Sequence, residues 1–220
     1  NGEPNGVFAH APEPTPANLT ELGKRVAAER VDLGIAVDPD ADRLVLVGET
    51  GIVLSEEYTV TLAIQSALSS PVILSGAKNP TPLCRPESAM KDLRDPSPLA
   101  QDDTIVVVNL STTRMVDDVA REFGATVVRT PVGERHVVEG MRQHGALIGG
   151  EGNGGVIFPK SHEGRDSLVG IALILDLLAR RNTSLSALVS TLPHYVMTKE
   201  KLPRGNAFET QQLSAALQRA

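Results

Sequence analysis

A chain of 220 residues with 41% hydrophobic side chains can bury a core, so it is not a disordered polymer. A formal net charge of −6 argues against nucleic acid as the main partner, because surfaces that track phosphate are basic. The single cysteine, Cys84, excludes an internal disulfide and any cysteine-cluster metal site and suits a reducing, cytoplasmic setting.

The elements follow in chain order. Residues 11–30 begin as proline-rich extended chain and then predict a helix with Thr15 as N-cap and Pro16 at the first helical position. "LGIAV" (33–37) and "RLVLVG" (43–48) predict two strands, and residues 55–70 predict a helix capped by Ser55, with acids in its first turn. Residues 71–102 are dense in Pro, Ser and mixed charge without a period, which reads as an irregular insertion. The pattern then becomes regular. Strands at 104–110, 125–130 and 146–150 alternate with helices at 111–124 and 133–145, and each helix stops at a glycine, Gly124 and Gly145. This βαβαβ series predicts a parallel sheet covered by helices. "GGVIFP" (154–159) adds a strand, and residues 165–181 predict a buried core helix. Its apolar stretch is broken by Asp176 and falls short of the ~20 residues of a membrane span. "LPHYVMTKEKL" (192–202) reads as the first strand of a further unit. The fold class expected is α/β, with mixed, largely parallel sheets covered by helices. The chain opens on Asn1 without a start signal and reads as a piece of something longer.

One loop stands out. "DPDADR" places Asp38, Asp40 and Asp42 at alternate positions between two strands, with Arg43 directly after. Three like charges so close need compensation. A solvated turn does not need that spacing. An EF-hand would put Asp38, Asp40 and Asp42 at positions one, three and five and Glu49 at twelve, but Arg43 then sits where the bend needs glycine, and the flanks are strands. A haloacid-dehalogenase reading makes Asp38 a nucleophile and asks for paired acids after a strand. Asp102 and Asp103 instead precede a strand, and Asp117 and Asp118 fall within a helix. A three-carboxylate Mg²⁺ site fits the oxygen preference of that ion, and Arg43 would then face a phosphate that the ion also touches. A second stretch, "GGEGNGG" (149–155), spells G-x-G-x-x-G from Gly150 to Gly155. A dinucleotide loop of that kind opens a helix, whereas strand-like "VIFP" follows here.

Together these stretches resemble the α-D-phosphohexomutase family, whose D-x-D-x-D-R loop lies between two strands and usually has glycine at the two intervening positions. Here those are Pro39 and Ala41. The resemblance implies a Mg²⁺ cofactor held by Asp38, Asp40 and Asp42, a catalytic Arg43, and a sugar-recognition loop in which Glu151 and Asn153, either side of Gly152, bind the 3- and 4-hydroxyls. "PEPTPANL" (12–19) is similar to a segment upstream of the metal loop. "TPVGERHVVEGM" (130–141) is similar to a T-x-V-G segment that often carries a lysine where this chain has Pro131, with Arg135 and His136 nearby. "HEGRDSL" (162–168) is similar to a substrate-facing stretch, so Arg165 and His136 join the expected substrate-binding residues.

The family has four domains. The resemblance divides the chain into the end of domain II (1–53), domain III (54–192) and the start of domain IV (193–220). The phosphorylated serine of a T-A-S-H-N-P-type motif is absent from these residues. "SGAKNP" (75–80) echoes it with Ala77 in the serine's place. The implied activity is intramolecular phosphoryl transfer between hexose 1- and 6-phosphates, with glucosamine phosphate favoured. The partners implied are a phosphorylated hexose and missing domains of the same polypeptide, with no nucleic acid and no membrane.

Overall fold

The computed structural model describes residues 6–8, 10–70 and 104–197. Helix α1 (Thr20–Glu29) leads into a hairpin of β1 (Leu33–Val37) and β2 (Leu44–Gly48), paired antiparallel with Val37 opposite Leu44. Helix α2 (Glu57–Ser69) follows. Then come β3 (Ile105–Asn109), α3 (Met115–Glu122), β4 (Thr126–Thr130), α4 (Glu134–His144), β5 (Ile148–Glu151), β6 (Gly155–Phe158), β7 (His162–Arg165), α5 (Ser167–Arg181) and α6 (Leu185–Val189).

The second sheet has the order β4-β3-β5-β6-β7. Parallel pairing is confined to β4-β3-β5, and β5–β6 and β6–β7 run antiparallel. The α/β class is as expected from sequence, with a smaller parallel share. Strand β7 is an addition: "HEGR" is short and polar, and only its pairing to β6 makes it a strand.

Successive side chains on a strand point to opposite faces, and β3 shows how this builds the layers. Val106 and Val108 join Val60, Ile64, Val116, Val119 and Ala120 under α2 and α3. Val107 lies on the other face with Val137 and Met141 of α4. The hairpin is tied in by β2, whose five residues are all buried. Leu44 and Leu46 pack with Leu62 of α2, Ile174 and Leu177 of α5, and Leu185 and Leu188 of α6. Burying each such leucine is worth about 1.5–3 kcal/mol, so the hairpin is a fixed part of this core.

Four sequence expectations are corrected. Helix α1 begins at Thr20, not after Thr15, because the Thr15 carbonyl accepts from Asn18 and Leu19 and closes a separate turn. Helix α3 begins at Met115, because Ser111 and Thr112 give their hydroxyl groups to Asn109 Oδ1 and hold residues 110–114 as a loop. The helix buried all round is α2, whereas α5 buries one face and leaves Leu168 and Leu175 exposed. Residues 192–197, read as the start of a strand, form none among the described residues. The expectations on 71–103, including Cys84, Asp102, Asp103 and the 75–80 echo, lie outside the described residues. No described helix is long and apolar enough to cross a membrane.

Candidate metal and sugar site

The loop after β1 is built by a turn in which the Ala41 N–H donates to the Asp38 carbonyl at 3.0 Å, with Pro39 fixing its second position. Ala41 takes φ 58°, a left-handed conformation that costs a residue with a Cβ about 1 kcal/mol. The turn is held open by Ser167 at the start of α5, whose Oγ donates to the Ala41 carbonyl at 2.6 Å. The three aspartates each offer an oxygen, and these oxygens lie within 4.8 Å of one another. Asp38 is 3% exposed, which removes the solvated-turn reading. Glu49, the twelfth position of the EF-hand reading, lies beyond β2 and bonds Ser186 instead.

The three aspartates differ in what they already hold. Asp38 Oδ1 accepts from the backbone N–H groups of Asp42 and Arg43, at 3.1 and 3.0 Å, and its Oδ2 meets Arg43 Nε at 2.5 Å. Burial pushes the Asp38 carboxyl up, but the Arg43 hydrogen bonds outweigh it and leave it below the usual range. Asp42 is raised, by burial first and then by its aspartate neighbours, against the pull of Arg165. Asp40 is exposed and makes no hydrogen bond or ion pair with a described residue. Arg43 also pairs with Glu13 at 2.7 Å. Its burial is outweighed by the hydrogen bonds it donates to Asp38 and Glu13, which raise it.

The glycine loop is the tight turn between β5 and β6, with Glu151 paired to Gly155 and the Gly154 N–H donating to the Glu151 carbonyl at 3.2 Å. A strand follows, so the dinucleotide reading fails. Glu151 ends β5 at the carboxyl edge of the parallel strands, where open α/β sheets bind ligands. It is 3% exposed. Its Oε1 accepts from Asn109 Nδ2 at 2.7 Å and from the Gly133 N–H at 3.1 Å, and its Oε2 accepts from Arg165 Nη1 at 3.1 Å. Asn153 Oδ1 accepts from the Gly155 N–H at 3.2 Å. Gly152 has no space for a side chain, because a Cβ there would run into the buried Glu57 carboxylate. His136 lies exposed on the first turn of α4, next to Gly133.

The two motifs form one site. Arg165 pairs with Asp42 Oδ2 through Nη2 and with Glu151 Oε2 through Nη1, and its Nε lies 3.4 Å from Glu134 Oε2. The backbones also touch, with the Leu44 N–H donating to the Gly154 carbonyl at 3.1 Å. Among the described residues, Glu13, Asp38, Asp40, Asp42, Glu134 and Glu151 gather around two arginines, Arg43 and Arg165. Asp42 Oδ1 is buried and accepts no hydrogen bond. An excess of carboxylates with an orphaned buried oxygen fits a hard divalent cation.

Sequence reasoning missed Glu13, Glu134 and Asn109. The two glutamates reach their arginines across 30 and 31 residues, and no local pattern marks that pairing. Asn109 had a signal, being a polar residue at the end of a buried parallel strand.

A carboxylate loop meets a glycine turn over a shared arginine, at the carboxyl edge of an α/β sheet, the edge where sheets of this class take their ligands. The chain belongs to the phosphoglucomutase/phosphomannomutase family, the α-D-phosphohexomutases. Residues 1–51 match the family model for alpha/beta/alpha domain II, and residues 89–195 match that for alpha/beta/alpha domain III. The chain is 33% identical over 201 residues to a protein of Methanopyrus kandleri named "Probable phosphoglucosamine mutase", and 31% identical over 202 residues to the phosphoglucomutase/phosphomannomutase of Thermococcus kodakarensis. Each match takes in 91% of this chain and 38% of the relative, so the chain spans well under half the length of these curated relatives. A solved phosphoglucomutase/phosphomannomutase family protein of Burkholderia thailandensis superposes with a TM-score of 0.63 at 25% identity, covering 86% of this chain and 35% of that one.

Proposed function

We propose that this chain is the cation- and sugar-holding part of a Mg²⁺-dependent phosphohexomutase that interconverts hexose 1- and 6-phosphates, with glucosamine phosphate the favoured substrate. Relatives named as phosphoglucosamine mutases support the choice of sugar. The observation that carries the reading is Arg165, which joins the metal loop to the sugar loop through Asp42 and Glu151. In this reading residues 1–53 close domain II, residues 54–192 form domain III and residues 193–220 begin domain IV. The remaining domains supply a phosphoserine and a grip on the distal phosphate, and the setting is cytoplasmic.

Phosphoryl transfer depends mainly on positioning and on neutralising charge. Mg²⁺ held by Asp38, Asp40 and Asp42 supplies Lewis-acid neutralisation of the transferring phosphoryl group. The chain's own residues do the rest. Six carboxylates around two guanidiniums repel a phosphorylated sugar, so the substrate enters only once that excess is neutralised. Arg43, now paired with Asp38 and Glu13, is placed to turn its fork to the phosphate. Glu151 is an acceptor held by three donors, and its oxygens retain lone pairs for sugar hydroxyls. Asn153 holds the neighbouring hydroxyl, and Gly152 joins it to Glu151 in a loop that a side chain there would push off the Glu57 carboxylate. Arg165 and His136 complete the rim. Two hydroxyls on one sugar face are gripped alike in either orientation, so one site serves both ends of a bisphosphate intermediate.

The test places this chain in its full-length gene product and supplies glucosamine, glucose and mannose 6-phosphates with Mg²⁺. Glucosamine 6-phosphate is expected to turn over fastest, to the 1-phosphate and without free phosphate, and the 220-residue chain alone is expected to be inactive. Release of inorganic phosphate by the chain alone would replace this reading with a dehalogenase-like phosphatase.

A further inference from the structure

Arg165 stands where three carboxylates meet. Its fork reaches Asp42 and Glu151, and its Nε lies beside Glu134 without donating a hydrogen bond, although that atom is buried. The residue cannot swing away easily. Its backbone N–H donates to Glu134 Oε1 at 2.8 Å, and its stem covers Gly155, where a Cβ would meet Arg165 Cγ at 2.9 Å. The side chain is 19% exposed. A guanidinium keeps its charge at any working pH, so this is a fixed positive group beside a set of cation ligands. Asp42 therefore has two claimants: Arg165 already holds Oδ2, and Oδ1, which accepts no hydrogen bond and has Arg43 Nε at 3.8 Å beside it, is left for a cation.

We infer that Arg165 is a positioning residue that opposes the cation in the free chain and couples its binding to Glu151. Without a cation it neutralises Asp42. A bound cation releases Nη2 from Asp42 and leaves the fork to Glu151, Glu134 and the incoming ligand. The inference rests on the magnesium reading and adds to it the sign of the Arg165 effect. Two positive groups sharing one carboxylate repel each other. Any change at Glu151 that alters how firmly Arg165 holds Asp42 must alter cation affinity, and the reverse holds equally.

The experiment is calorimetric titration of the 220-residue chain with MgCl₂ alone. Arg165→Met keeps the apolar stem over Gly155 and removes the charge, and it is expected to bind Mg²⁺ about fivefold or more tightly than the wild type. Arg165→Lys, which keeps the charge but loses the fork, falls between the two. Glu151→Gln weakens Mg²⁺ binding in the wild type by leaving the fork to Asp42, and weakens it much less in the Arg165→Met background. Simple loss of a distant negative charge would weaken both backgrounds equally. A residue that merely held the loops together would give the opposite sign, because loosened loops bind the ion worse. Wild-type binding with equal or weaker affinity in both Arg165 variants, at unchanged circular dichroism, overturns the coupling alone. If Arg165→Met does not fold, Arg165→Lys decides by the same criterion. Failure of every chain to bind Mg²⁺ overturns the magnesium reading and the coupling with it.

Discussion

Replacing Asp40 with asparagine is expected to weaken Mg²⁺ binding about tenfold or more while leaving the urea midpoint where it is. The separation of the two effects follows from what Asp40 touches. It is exposed and makes no hydrogen bond or ion pair with a described residue, so the folded chain loses nothing when its charge goes, and the stability change stays within about 0.5 kcal/mol. Asp38 is a poorer probe. It is buried and accepts two backbone N–H groups and Arg43, so an amide there disturbs the turn itself and costs about 1–3 kcal/mol. A fall in cation affinity for Asp38→Asn would mix lost structure with a lost ligand, whereas for Asp40→Asn it reports only the ligand. Calorimetry with MgCl₂ and urea unfolding of the same two proteins check both halves. Unchanged affinity in Asp40→Asn would remove that residue from the metal site.

The largest stability loss is expected at Gly154, where alanine should cost about 3 kcal/mol or more. Gly154 sits at φ 91°, and a Cβ there would lie 2.5 Å from the Leu44 carbonyl oxygen and 3.1 Å from the Leu44 nitrogen. Both are backbone atoms of a fully buried strand, so neither can step aside. The substitution would push the sugar turn off the metal-loop hairpin at the contact that joins them. Gly145→Ala is the control: its φ is 61°, but no atom lies within 4 Å of the added Cβ. That change is expected to cost only about 1 kcal/mol, the conformational share alone. Urea midpoints of the two variants separate the cost of the dihedral from that of the collision. Equal losses would mean that the hairpin is not packed against the turn.

Much of this was legible because the local signals agreed with the tertiary ones. Strands β3 and β4 are short β-branched runs, and α4 ends at Gly145 in the left-handed conformation that its sequence position announced. The aspartate loop and the glycine turn stood out as motifs because each sets unusual residues at fixed spacings between strands, and the structure brings the two together over Arg165. What stayed hidden depends on partners far along the chain. Helix α2 buries Thr59 as well as its apolar residues, and the Thr59 hydroxyl is satisfied by donating to the Leu44 carbonyl at 2.6 Å, fifteen residues back. The apolar α5 read as the buried helix, yet it lies at the outside of the core. Arg165 has an acid, Asp166, directly after it in the sequence. In the structure Asp166 caps α5 by accepting from Leu168 and Val169, and Arg165 turns the other way, to Asp42 and Glu151.

The claim on which everything else turns is spatial: residues 38–43 and 151–155 face one cation. Amide resonances of the isotopically labelled chain, recorded during addition of substoichiometric Mn²⁺, measure this directly, because a bound paramagnetic ion broadens only nearby groups. The account predicts that signals of both segments broaden together with that of Arg165, and that excess Mg²⁺ restores them. Broadening confined to residues 38–43, with the amides of Glu151, Gly152 and Asn153 left sharp, would contradict it.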